Sequence, residues 1–126
     1  TENMFNLACA YYHTQQISKA QDIYKQLLTL NKHDARVWYN LGETYLAQKN
    51  IAQALITFKE IEDAWERIPQ IRIRLAQCYE TLNNHEAARN ELLCLVQSHQ
   101  ISSHIKQTAQ RLLVEHDAEH WAKITA

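Results

Sequence analysis

His116, Glu119 and His120 form an H-x-x-E-H run near the end of a chain of 126 residues. The pattern is that of some zinc peptidases, and two histidines four apart on a helix share a face and can hold one metal ion. The run stops six residues short of the last position, which leaves almost no sequence for a third ligand. A solvated helix face is therefore the expectation, with no metal site assigned. His13, His33, His85, His99 and His104 are scattered without ligand spacing. Cys9 and His13, four apart, suit a thiolate–imidazole pair, but no oxyanion hole or third group accompanies them. Cys9, Cys78 and Cys94 make neither a C-x-x-C pair nor an even-numbered framework, a mild pointer to a reducing compartment. On that ground the cytoplasm is favoured over the periplasm or cell envelope. A single glycine leaves no room for a phosphate-cradling loop. No catalytic residue and no cofactor is expected.

The elements that must position these residues are helices. One Gly and one Pro in the whole chain leave hairpin turns and parallel-strand loops without their usual residues. Ala, Leu, Gln, Glu and Lys dominate instead, so the class is all-α. Thirteen basic and fourteen acidic side chains give a net charge of -1 with no basic block, which excludes the electrostatic footprint of a nucleic-acid binder. No apolar run is long enough to span a bilayer, so no membrane insertion is expected. The chain opens at Thr1 without an initiator Met, as a piece of a longer protein would.

One interval organises the helices. Leu7, Leu41 and Leu75 are 34 apart, as are Tyr11, Tyr45 and Tyr79, and Ala8, Gly42 and Ala76. Ala20, Ala54 and Ala88 keep the interval, followed by Tyr24, Phe58 and Leu92, then Leu27, Ile61 and Leu95. Each copy carries two apolar stripes at helical spacing, separated by the polar breaks Thr14-Gln15-Gln16, Gln48-Lys49-Asn50 and Asn83-Asn84. Each is a helix–turn–helix hairpin that cannot bury its faces alone, and stacking about three of them builds a continuous core. The small residue at Ala8, Gly42 and Ala76 admits a neighbouring helix.

The middle copy reads Trp38-Tyr-Asn-Leu41-Gly42-Glu-Thr-Tyr45, then Ala54 and Phe58. It resembles the tetratricopeptide repeat in both motif and period. The resemblance covers residues 1–34, 35–68 and 69–102 as three copies of one domain, and implies a right-handed superhelical solenoid. Only Arg72, where Met4 and Trp38 stand in the other copies, misfits. Ile71-Arg72-Ile73-Arg74-Leu75 alternates as a strand would, yet lies in phase with two helices and follows Pro69, so helix is expected. Residues 103–126 are expected to form a C-terminal solvating helix with Ile105, Ala109, Leu112 and Leu113 inward. A truncated fourth repeat is the competing reading, because Ala122 keeps the alanine register. The joint Trp65–Pro69 departs most from the pattern.

The resemblance also implies a concave groove lined by the first helix of each copy. Its positions hold Glu2, Phe5, Asn6, Cys9, Tyr12 and His13 in copy one, and Arg36, Tyr39, Asn40, Glu43, Leu46 and Ala47 in copy two. Copy three supplies Gln70, Ile73, Arg74, Gln77, Glu80 and Thr81. Phe5, Tyr12, Tyr39, Leu46 and Ile73 would make an apolar, aromatic trough. Asn6 and Asn40 could bond an extended peptide backbone, since an amide side chain both donates and accepts. The family's carboxylate clamp for chaperone tails is not expected, because Phe5 and Cys9 replace its first-copy donors. The expected role is a protein-interaction module, scaffold or chaperone-like, for a segment with apolar anchors and an acidic group for Arg36 or Arg74. A structural spacer or self-association segment of a larger assembly or secretion protein is the alternative. Type III secretion chaperones, pilus-assembly factors and envelope factors resemble it equally.

Overall fold

Polar breaks between apolar stripes end helices, and the computed structural model shows the means. It describes residues 2–125, with the side chains of residues 2–119. The helices are α1 (Glu2–His13), α2 (Ile17–Leu30), α3 (Ala35–Ala47), α4 (Ile51–Lys59), α5 (Gln70–Thr81), α6 (His85–Gln97) and α7 (Ser103–Thr125). A 3-10 turn, Glu62–Ala64, lies between α4 and α5, and there is no strand among the described residues. The chain is all-α, and the alternating run Ile71–Leu75 lies inside α5.

Three tight turns join α1 to α2, α3 to α4, and α5 to α6 by the same geometry. Gln15, Lys49 and Asn83, spaced by one repeat, take φ of 67°, 62° and 65°. After α3, Lys49 N–H donates to the Leu46 carbonyl (3.0 Å) and Asn50 N–H to that of Tyr45 (2.9 Å). Gln15 and Gln16 repeat the pair onto Tyr12 and Tyr11, and Asn83 and Asn84 onto Glu80 and Tyr79. These crossed bonds are Schellman closures, which satisfy carbonyls that a helix end leaves open. The next helix starts at once: Asn50 and Asn84 accept from the backbone N–H groups of Gln53 and Ala87.

The chain divides into two compact units, residues 1–62 and 63–126. In the first, α1 packs on α2, α2 on α3 and α3 on α4. Its core holds Ala8, Ala20, Tyr24, Leu27, Val37 and Leu41, with Met4, Tyr11, Trp38 and Tyr45 partly buried against it. A Cβ at Gly42 would lie 2.6 Å from the ring of Phe58, so the lone glycine does admit a neighbouring helix, here α4. Trp38 donates its indole N–H to the Lys32 carbonyl at 2.8 Å, tying the α2–α3 loop to α3. Leu7 departs from its repeat partners: Leu41 and Leu75 are buried, whereas Leu7 is 47% exposed on the first described helix.

The irregular joint begins earlier than Trp65. Helix α4 has nine residues against fourteen in α2 and thirteen in α6, yet Ala54, Phe58 and Ile61 still bury the same stripe.

In the second unit α5 packs on α6 and α6 on α7. Ile73, Ala76, Ala88, Leu92, Leu95, Ile101 and Ala109 form its core. The misfit Arg72 has a specific partner: its Nη1 lies 2.6 Å from Glu91 Oε2, with both side chains largely buried. Its guanidinium also stacks on Trp65, 4.3 Å from the ring centroid. Glu91 occupies the repeat position of Ile23 and Thr57, so two columns changed together.

Helix α7 runs unbroken through the positions where the repeats turn. Ile105, Leu112 and Leu113 pack on the core beside fully buried Ala109, the inward stripe expected from the sequence. His120 and Ala122, used in the zinc pattern and in the fourth-repeat register, lie outside the described side chains.

Candidate functional site

In the first unit, α1, α2 and α3 leave a cleft of about 220 Å³ lined by Cys9, Tyr12, His13, Tyr24, Tyr39, Asn40 and Glu43. Six of these residues are groove positions named from the sequence, and Tyr24 is added as the floor. Periodicity placed Tyr24 in the core, and it is 1% exposed. Its hydroxyl shares a hydrogen bond with the Cys9 thiol at 3.4 Å. Burial above all, then the Cys9 contact, pushes the Tyr24 phenol pKa far above its ordinary value, so the floor stays neutral. The Cys9 thiol is thus engaged with a phenol.

The walls are aromatic. Tyr12 sits edge-on to His13, with centroids 5.7 Å apart, and Tyr39 is braced against buried Phe58 at 5.6 Å. Asn40 and Glu43, one turn apart on α3, supply an amide and the one carboxylate among the lining residues. Such a recess suits an apolar side chain flanked by hydrogen-bonding groups of a backbone.

Phe5 and Arg36 go elsewhere. They line a second recess of about 110 Å³ with Glu2, Leu27, Leu30, Asn31, Asp34 and Val37. Arg36 Nη2 lies 3.1 Å from Glu2 Oε1, and its guanidinium stacks 4.0 Å over Phe5. The hydrogen bond to Glu2 raises the Arg36 pKa further. The expected acidic ligand group for Arg36 thus meets competition from Glu2 within the chain. Asn6 is exposed on α1, and neither recess includes it.

In the second unit, Arg74 Nη1 donates to Gln77 Oε1 at 2.9 Å. Ile73 is 6% exposed and packs into the core, so it offers no open surface to a trough. Sequence reasoning did not bring together Glu80, His85 and His116, whose ligand-type atoms lie within 4.8 Å of one another. They come from α5, α6 and α7, and no spacing rule covers a meeting of three helices.

Among the described residues, no helix is long and apolar enough to cross a membrane. A family model described as tetratricopeptide repeat matches residues 11–64, and a second of the same description matches residues 69–93. No curated protein matches the sequence. Among solved structures, the Yersinia enterocolitica type III secretion chaperone SycD, in complex with a peptide of the translocator YopD, superposes with a TM-score of 0.80 at 16% identity. That match covers 94% of this chain and 93% of SycD. PcrH of Pseudomonas aeruginosa, solved with the chaperone-binding region of PopD, gives 0.78 at 19% identity over 94% and 92% of the two chains. The tetratricopeptide domain of Arabidopsis OM64 gives 0.75 at 20% identity over 91% and 94%. With the 34-residue columns, the paired helices and two family models in agreement, the chain belongs to the tetratricopeptide repeat family.

Proposed function

We propose that this chain is a protein-interaction module, chaperone-like in role, that takes an extended peptide segment in the cleft between α1 and α3. The observation that carries the reading is the Tyr12–Tyr24–Tyr39 recess with Asn40 and Glu43 beside it. An apolar or aromatic anchor of the peptide would fill the recess, and Asn40 would bond its backbone as donor and acceptor. Glu43 favours an anchor flanked by N–H donors or a basic group over an acidic one. SycD and PcrH, which share the fold, are solved with a peptide of the translocator YopD and the chaperone-binding region of PopD, and this supports a peptide as the class of ligand.

The repeat boundaries 1–34, 35–68 and 69–102 belong to the same proposal, with 103–126 as the capping helix. Ordering a flexible peptide offsets much of the contact energy, so one such cleft should bind on the order of micromolar. Titrating the chain with the YopD and PopD segments, then with peptides selected from a random library, tests the reading. Saturable binding weakened by Tyr12→Ala and by Asn40→Ala supports it. Binders indifferent to both substitutions would sink it.

A second reading, self-association, is favoured by exposed Leu7 and Leu30, at 47% and 65%. Light scattering separates the two: a dimer lost on Leu7→Ser would move the assignment to assembly.

A further inference from the structure

We propose that Glu80, His85 and His116 form a binding site for a divalent transition-metal ion, zinc by its donor set, that ties α7 to the α5–α6 hairpin. The site lies in the second unit and does not depend on the peptide cleft. Glu80 stands in the last turn of α5, and His85 is the first residue of α6, just past the Schellman turn at Asn83. His116 continues the inward stripe of α7 begun by Ala109, Leu112 and Leu113, and is 8% exposed. The tight turn after α5 and the packing of α7 therefore bring the three side chains together.

The geometry is that of a carboxylate held between two imidazoles. His85 Nδ1 lies 2.7 Å from Glu80 Oε1, and His116 Nδ1 lies 2.7 Å from Glu80 Oε2. The two rings are 5.8 Å apart by centroid and tilted by 47°. Two imidazole nitrogens and one carboxylate oxygen are the donors zinc takes in three-ligand sites with an open fourth position. Bonds of about 2.0–2.1 Å to a tetrahedral ion put donors about 3.3 Å apart. With one Glu80 oxygen as ligand, its 2.7 Å contact must open by ~0.6 Å, and the other imidazole must close in from a spread of donor atoms within 4.8 Å, both within reach of side-chain rotation.

The protons also balance. Facing a carboxylate, each Nδ1 is the hydrogen-bearing atom, and ligation through Nδ1 requires that hydrogen to leave, to Nε2 or to solvent. A cation then replaces the two bridging protons on the carboxylate side.

An entry path is present. The cluster borders a cleft of about 120 Å³ lined by Gln77, Glu115, His116 and Glu119 among others. Glu115 and Glu119 place negative charge at its mouth, which raises the local concentration of a cation. Water reaching the ion through this cleft supplies the open position. Imidazole and carboxylate together favour zinc over calcium or magnesium, which prefer all-oxygen shells. Of the H-x-x-E-H run near the C-terminus, this site takes His116 alone as a ligand.

The test uses the full chain stripped of metal with a chelator, titrated with zinc chloride by calorimetry and followed by thermal unfolding. The expected result is one zinc per chain and a Tm that rises with zinc concentration. Glu80→Gln and His85→Ala should each weaken binding by about tenfold or more and remove the rise in Tm. Both positions are only half-buried, so the variants should keep the helical circular-dichroism signal, whereas His116→Ala puts a cavity in the core. His120→Ala should bind as the parent does. Absence of one-to-one binding by the parent chain overturns the proposal. So does zinc held equally well by Glu80→Gln and His85→Ala but lost from His120→Ala, which would place the ion on the H-x-x-E-H face.

Discussion

Gln15, Lys49 and Asn83 each hold a left-handed backbone that L residues adopt at a cost of roughly 1–2 kcal/mol, with asparagine the most tolerant of the three. The turns persist because two crossed hydrogen bonds close each helix end and the next helix is docked at once. Lys49→Gly should therefore stabilise the chain by about 0.5–1 kcal/mol, after the added freedom of the unfolded state is subtracted. Asn83→Gly should gain less, and urea unfolding of the two variants checks the order. Gly42 behaves oppositely. It is helical, so alanine would gain helix propensity of about 1 kcal/mol, yet its Cβ would meet the fully buried Phe58 ring at 2.6 Å. Overpacking should win, with Gly42→Ala destabilising by about 1–2 kcal/mol net in the same measurement. The crowding was legible in the sequence as a small-residue column. The left-handed turns were legible only as polar breaks, because no glycine marks them.

At the scale of helices, the repeat accounts for most of what forms, and its misfits are paired. Arg72 and Glu91 stand where copy one has Met4 and Ile23, so a buried ion pair replaces an apolar contact at one rung. Removing one partner strands a charge: Glu91→Ala should cost about 3 kcal/mol or more. Restoring the copy-one pair, Arg72→Met with Glu91→Ile, should return stability to within about 1 kcal/mol of the parent or above it. A double-mutant cycle in guanidinium measures both values. Arg72 was conspicuous from sequence because its column is apolar elsewhere. Glu91 passed unnoticed, since a glutamate on a second helix is ordinary until burial is known. Helix α7 was legible as one amphipathic stripe, and Ile105, Ala109, Leu112 and Leu113 are the residues it packs inward, but what that stripe meets follows from packing that no column encodes. The meeting of His116 with Glu80 and His85 depends on that packing.

For the molecule as a whole, the six cleft residues Cys9, Tyr12, His13, Tyr39, Asn40 and Glu43 could be named in advance because they lie at fixed places on repeated helices. Ile73 holds the place of Phe5 and Tyr39, yet it is buried in the core of the second unit. A repeat position sets which way a side chain faces, while exposure is set by what packs there. Arg36 differs for a related reason: Glu2, one repeat earlier, occupies its guanidinium. The central claim is that the tyrosine-lined cleft of the first unit holds a peptide. Its most direct measurement is amide chemical-shift mapping of the isotope-labelled chain with a library-selected peptide, repeated on Tyr12→Ala/Asn40→Ala. The account predicts shifts concentrated on α1 and α3 around Cys9, Tyr12, Tyr39 and Asn40. It also predicts affinity reduced at least about tenfold in the variant with its helical signal intact. Shifts confined to other helices, or an unchanged affinity in the variant, would contradict it.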